Sequence, residues 1–256
     1  MGIYEQYAAV YDQSGQLAFS HRMLPYLERL LKRHPAPGRE VIELACGTGT
    51  VAIALARAGW RVLGVDASAD MLAQAQAKLG GERLDIAWSQ QDMRCLCVPA
   101  PAPLVTCLYD SMNYMLSDDD LLAVFAHVRD ALLPGGLFLF DMNTLFALRS
   151  LWNDETYFTD GDDLAVVFKS RYDDRVQRAT VRVTCFQRVD TLYRKITEEH
   201  TEQAYPPEHV ATLLTDVGLT VEAQYDCFAL RKPSPASFRI MFVARRPPMS
   251  EAPARR

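Results

Sequence analysis

The sequence predicts an α/β fold: a doubly wound, mostly parallel sheet carrying an inserted antiparallel β lobe. Three observations predict it. Apolar strand-like segments alternate with helical ones from about residue 40 to Asn143, the rhythm of parallel strands joined by crossover helices. Three consecutive strands in that stretch end in acids, at Glu43, Asp66 and Asp92. After Arg149 the rhythm gives way to long half-polar segments rich in Val, Thr, Phe and Arg, separated by hairpin-turn residues.

The elements follow in order. Residues 1–20 hold Tyr4, Tyr7, Tyr11 and Phe19 with few aliphatics, an aromatic entry segment. Residues 21–32 have helical apolar spacing at Met23, Leu24, Leu27, Leu30 and Leu31, ended by Pro35, Pro37 and Gly38. Val41, Ile42 and Leu44 read as a buried strand, Ala45 to Gly49 as a tight small-residue turn, and residues 51–57 as a helix. A second strand over 61–66 ends at Asp66, and Ser68 is placed to N-cap the helix after it. A third over 84–91 ends at Asp92 and Met93. A strand over 104–109, a helix over 119–132, a Pro134-Gly135-Gly136 turn and a strand over 137–141 complete the alternation. Segments 164–172, 176–188 and 193–203 then predict a three-stranded meander. A helix over 207–217 and strands over 219–226 and 238–244 return to the main sheet. The expected division is a main domain of residues 1–144 and 206–246, a lobe of residues 145–205 over the active site, and a disordered tail of residues 247–256.

The turn after the first strand carries chemistry. A strand that runs through glycines into a helix N-terminus brings backbone N–H groups close to a ligand. Glu43 beside it would repel phosphate but accept hydrogen bonds from a cationic amino group. The turn therefore suits an amino-acid-bearing nucleoside such as S-adenosylmethionine rather than a pyrophosphate. A dinucleotide fingerprint would want glycine at positions 45 and 52, and both are alanine; a P-loop lysine is missing too. Asp66, 17 residues after Gly49, sits where an acid accepts from ribose hydroxyls. Asp92 could accept from an adenine amine, with Met93 against the ring.

Four motifs in order, Glu43-Leu-Ala-Cys-Gly-Thr-Gly49, Val65-Asp-Ala-Ser-Ala-Asp-Met-Leu72, Gln91-Asp-Met-Arg94 and Leu133-Pro-Gly-Gly-Leu-Phe138, resemble a class I S-adenosylmethionine-dependent methyltransferase with a Rossmann-like sheet. The remainder is similar in layout to small bacterial enzymes with an antiparallel sheet over the active site, such as amino-sugar N-methyltransferases. Ala45 departs from the usual first glycine. The resemblance implies cofactor contacts from Ala45, Cys46, Gly47, Gly49, Ala67, Met71 and Tyr109, besides the three acids and Met93. It also implies that Tyr7 and Tyr11, matching a Tyr-x-x-x-Tyr-Asp segment, fold over the cofactor's methionine end; an aromatic anchor for a terminal helix is the plainer alternative.

With 256 residues and 49% hydrophobic content, the chain can bury one substantial core, or one core and a small lobe. A net charge of −5 argues against a phosphate-backbone partner. No apolar run is long enough to span a bilayer and no secretory signal is visible. The spacing of the six cysteines matches neither a disulfide framework nor a metal site, so a cytoplasmic protein without metal is expected.

Methyl transfer needs alignment and exclusion of water more than a dedicated base. The catalytic candidates are Asp110, Asn113 and Tyr114, in the loop that leaves the fourth strand; turn capping and packing are the alternative roles. His200 with Glu198 or Glu199, at the end of the third lobe strand, could face the acceptor from a lid, with a solvated strand face as the favoured reading; His34 and His127 read as structural. An Asp- or Asn-Pro-Pro-aromatic turn after the fourth strand, where the chain has Asp110-Ser-Met-Asn113, and a Pro-Cys nucleophile are both missing, which sets aside base-amine and cytosine-C5 chemistry. Arsenite methylation would need converging thiolates among Cys46, Cys95 and Cys97. The expected partner is a small-molecule acceptor methylated at N or O, and a lobe edge strand could pair with a second copy to form a homodimer. Lobe arginines 171, 175, 178, 182, 188 and 194 keep an RNA or protein acceptor as the alternative. A cofactor-binding regulatory protein is the non-enzyme one.

Overall fold

The computed structural model describes residues 3–248. Of the tail expected over residues 247–256, residues 249–256 lie outside the described residues. The chain starts in two 3-10 turns, Tyr7–Val10 and Asp12–Ser14, before helix α1 (Leu17–Arg33), which begins at Leu17 rather than His21 and carries Pro25 within it. There follow β1 (Glu40–Leu44), α2 (Thr50–Arg57), β2 (Arg61–Asp66), α3 (Ala69–Lys78), β3 (Ile86–Gln90), β4 (Ala102–Cys107), α4 (Asp118–Ala131) and β5 (Leu132–Asn143). Ser68 caps α3 as expected, its Oγ accepting from the Met71 amide at 3.2 Å. The Pro134–Gly136 turn proves to be an irregularity inside β5, where pairing with β4 jumps from Ala102↔Leu132 to Leu104↔Leu137.

Next come α5 (Leu145–Leu151), four strands β6 (Thr156–Asp160), β7 (Leu164–Asp173), β8 (Arg178–Val189) and β9 (Leu192–Gln203), then α6 (Pro207–Asp216), β10 (Thr220–Asp226) and β11 (Arg239–Arg245). The main sheet has the order β10-β11-β5-β4-β1-β2-β3. All pairs are parallel except those of β11 with β5 and β10. Chain order reverses on either side of β1, which pairs with β2 and with β4, and such a reversal opens a crevice at the carboxyl ends of the strands.

Each face of the sheet buries its own cluster. Phe125, Phe138, Phe140 and Phe242 pack under α4 and α6, with Phe140 and Phe242 stacked at 4.8 Å across the β5–β11 pair. Tyr26, Leu27 and Leu30 of α1 cover the other face with α2. The lobe is an antiparallel sheet of four strands, one more than the sequence predicted. All five residues of β6 are exposed, so that strand shows no apolar alternation to read. Alternate β8 residues Val181, Val183 and Cys185 turn inward and pack with Val166, Ile196, Tyr7 and Val10, which seats the N-terminal turns against the lobe.

Candidate active site

The carboxyl ends of β1, β2, β3 and β4, the lobe and the N-terminal segment together enclose a cavity of about 630 Å³. That falls in the range of roughly 300–1,000 Å³ typical of small-molecule sites. Of the residues predicted to bind cofactor, Tyr7, Tyr11, Glu43, Ala45, Cys46, Gly47, Asp66, Ala67, Met71, Asp92, Met93 and Tyr109 line it. Gly49 does not. A Cβ there would stand 2.7 Å from the Trp88 ring and 2.8 Å from the Ala75 Cβ, so this glycine makes room for core packing instead. Gly47, at φ 55°, has nothing within 4 Å of where a Cβ would be and leaves its backbone open for close approach. Ala45 stands at φ 51°, a left-handed position that favours the glycine it replaces.

Two of the acids support this turn. Asp66 accepts the Gly47 amide at 2.8 Å on one oxygen and the Ser68 amide at 2.9 Å on the other, fixing the β1 and β2 tips together. Burial raises its pKa, and the amide donors oppose the shift. Glu43 is 3% exposed, and its Oε2 has no hydrogen-bond partner. Burial first, then the neighbouring Asp66 charge, pushes its pKa up to about 8. A buried carboxyl short of a partner beside an open glycine turn fits the amino end of S-adenosylmethionine. Asp92 differs: it caps the turn Met93–Cys95 and chelates Arg94, which also reaches Asp120 at 3.1 Å, so its pKa is lowered chiefly by Arg94. A carboxylate keeps further lone pairs for an adenine amine.

The loop after β4 holds Tyr109 at φ 63° and Asp110 at φ 52°. Consecutive left-handed residues with side chains are costly and persist only where their surroundings hold them. Asp141, fully buried on β5, accepts both amides, at 2.8 and 3.1 Å, and pairs with Arg239. Arg239 also donates to Asp110 at 2.9 Å. Asn143 donates to Asp110 at 2.6 Å and to Glu202 at 2.8 Å. The carboxylate of Asp110, expected to act on substrate, is thereby engaged in holding the loop. Asn113 is fully buried and does not line the cavity. It donates to the Asn143 and Gln203 carbonyls and accepts the Asn143 amide, so it joins β5 to β9.

Tyr114 faces the cavity. Its hydroxyl lies 2.8 Å from that of Tyr4 and 3.3 Å from His200 Nδ1. His200 does not lie on the expected solvated strand face: the residue is 4% exposed, and its Nε2 is buried with no hydrogen-bond partner, Glu198 Oε2 lying 3.7 Å away. Burial lowers its pKa, opposed by Glu198, which favours the neutral ring. Glu202, 2% exposed, also lines the cavity, and burial followed by the Asp110 charge raises its pKa well above the usual range. Tyr4, His200, Glu202, Asp141 and Arg239 were missing from the predicted site. Elsewhere, Cys95 and Cys97 are exposed while Cys46 is buried, so these thiols do not converge, and no metal-binding cluster exists among the described residues. His34 bridges Glu222 and Tyr225, a structural role.

Residues 41–136 match the methyltransferase domain family. A protein of Geobacillus sp. (strain WCH70), provisionally named a methyltransferase, is 29% identical over 245 residues, 95% of this chain and 99% of that one. The crystal structure of an S-adenosylmethionine-dependent methyltransferase from Clostridium acetobutylicum superposes with a TM-score of 0.84 at 25% identity, covering 96% of this chain and 100% of the other. An S-adenosylmethionine-bound amino pentose methyltransferase from Micromonospora echinaspora shares the fold at a TM-score of 0.70 and 18% identity, over 96% and 98% of the two chains. Fold, site and domain define the class. The chain is an S-adenosylmethionine-dependent methyltransferase with a Rossmann-like sheet.

Proposed function

We propose that the protein methylates N or O of a small-molecule acceptor held under the lobe, by in-line displacement. One observation carries this reading: the cavity is lined both by the glycine turn and by Tyr4, Tyr114 and His200, which converge through their hydroxyls and Nδ1. A concave site of this size suits a metabolite better than a duplex or a folded protein. Three of the lobe arginines are already engaged: Arg182 with Glu199, Arg188 with Asp163, and Arg178 with the Leu116 carbonyl.

The cofactor supplies a methyl group on a positively charged sulfur. Glu43 would hold its amino end, Asp66 its ribose, and Asp92 with Met93 its adenine, with the backbone of Gly47 free for close approach. Tyr109, stacked on Phe19 at 4.0 Å, and Tyr11 wall the reacting end from water. Tyr114 Oη orients the acceptor. Where the nucleophile arrives protonated, its proton passes to Tyr114 Oη as the phenol proton moves to His200 Nδ1. Among the described residues no helix is long and apolar enough to cross a membrane. The six cysteines are free, in keeping with a reducing, cytoplasmic setting.

The test is an S-adenosylhomocysteine-release assay across pooled metabolites, with nucleic-acid and protein fractions in parallel. Turnover confined to a metabolite pool is expected. Turnover confined to RNA or protein would replace this reading, and none with any pool would favour a regulatory role.

A further inference from the structure

The segment 3–14 lies between the cofactor half and the lobe, lining the cavity with Ile3, Tyr4, Tyr7 and Tyr11. On the cofactor side it is fastened twice. The Tyr4 carbonyl accepts from Ser68 Oγ at 2.8 Å. Asp12 accepts from Thr48 Oγ1 at 2.6 Å and pairs with Lys78 at 2.7 Å. On the lobe side one carboxylate gathers three backbone amides: Glu198 Oε2 accepts from Tyr4 at 2.7 Å, and Oε1 accepts from Gln6 and Tyr7 at 2.9 Å each. The Glu198 side chain is 9% exposed. A carboxylate this deep is costly unless hydrogen-bonded, and here the donors come from the segment it faces. Tyr4 is held at φ 62°, a conformation a tyrosine keeps only when its contacts enforce it.

We propose that Glu198 is a positioning residue that latches segment 3–14 over the bound cofactor, so that cofactor exchange requires the hydrogen bonds it accepts from three backbone amides to break. The assignment rests on the S-adenosylmethionine reading above. The latch joins the two halves of the site. Its release frees the backbone of Tyr4, whose hydroxyl touches Tyr114 at the acceptor end and whose carbonyl touches Ser68 beside Asp66. The lobe thereby controls access to the cofactor as well as the shape of the acceptor pocket.

The probe is S-adenosylhomocysteine, followed by calorimetry and by stopped-flow release, with wild type, Glu198→Ala and Glu198→Asp compared. Release should be at least about tenfold faster in Glu198→Ala, the loss of charge-assisted bonds worth 1.4 kcal/mol or more, and partly restored in Glu198→Asp. Chymotryptic cleavage at Tyr4, Tyr7 and Tyr11 should quicken in Glu198→Ala even with the probe bound, while the far-ultraviolet spectrum stays native. In the wild type, which needs no variant to fold, the probe should slow hydrogen exchange of the Tyr4, Gln6 and Tyr7 amides. Unchanged release and cleavage in a folded Glu198→Ala, or unchanged exchange in the wild type, would overturn the latch and leave the cofactor reading standing. A wild type that does not bind the probe at all would remove both.

Discussion

Glu43 sets opposing demands on the free and cofactor-bound protein, and Glu43→Gln separates them. In the free protein the carboxyl is moved from 4.5 to about 8, by burial first and by Asp66 second. Its folded pKa is therefore above its unfolded one. The stability tied to this group is fully present below pH 4.5 and is lost as pH rises to about 8. At about 1.4 kcal/mol per pH unit, that amounts to roughly 5 kcal/mol across the window, and about 3 kcal/mol of it is gone by pH 7. Glutamine has nearly the same shape and no charge, so the difference in stability between variant and wild type should grow from pH 5 to pH 8 and then level. Urea unfolding of both free proteins at pH 5, 6, 7, 8 and 9 measures it, and other titrating groups cancel in the difference. The same charge should serve in binding. An ammonium group arriving at Glu43 favours the carboxylate, so S-adenosylmethionine should displace close to one proton at pH 7. Calorimetry in buffers of different ionisation enthalpy counts that proton, and Glu43→Gln should bind more weakly without displacing it. A pH-independent stability difference, or equal proton counts in the two proteins, would refute the reasoning.

Asp66→Ala should weaken S-adenosylmethionine binding by roughly 1.5–3 kcal/mol in calorimetry, and unchanged affinity would remove the ribose assignment. Gly49→Ala should cost about 1–3 kcal/mol in urea unfolding, because a Cβ there meets Trp88 and Ala75 at a left-handed φ of 73°; an unaltered midpoint would contradict the packing role. Arg239→Met removes the counter-charge of the buried Asp110 and Asp141 and should cost about 3–5 kcal/mol, read as a lowered denaturation midpoint. Tyr114→Phe should lower kcat more than cofactor affinity. His200→Gln should abolish the acidic limb of the rate profile, which in wild type falls through a pKa below 6.5; a retained limb would assign it to another group.

The parts legible in sequence were those built from neighbours along the chain. Glu43, Gly47 and Asp66 follow from strand, turn and helix in immediate succession, and Ser68 capping α3 needs only three residues of context. The acceptor end is different in kind. Tyr4 meets Glu198 across 194 positions and Tyr114 across 110, while Tyr114 meets His200 across 86. No local spacing encodes those meetings. The burial of His200 and Glu198 is not legible in sequence because alternation along β9 tells one face from the other but not which face a second layer covers. That layer is the aromatic entry segment, whose tyrosines were the visible signal. Gly49 was credited to the ligand because glycine turns serve packing and binding with the same residues. Trp88, placed by β3 pairing with β2, and Ala75 of α3 separate the two.

The central claim is that the carboxyls of Glu43, Asp66 and Asp92 face one adenosyl sulfonium, and ligand calorimetry tests it most directly. S-Adenosylmethionine should bind at one site per chain, with proton release, and nicotinamide and flavin dinucleotides should give no heat. Silence with the sulfonium alongside clear binding of a dinucleotide would contradict the assignment of the cavity.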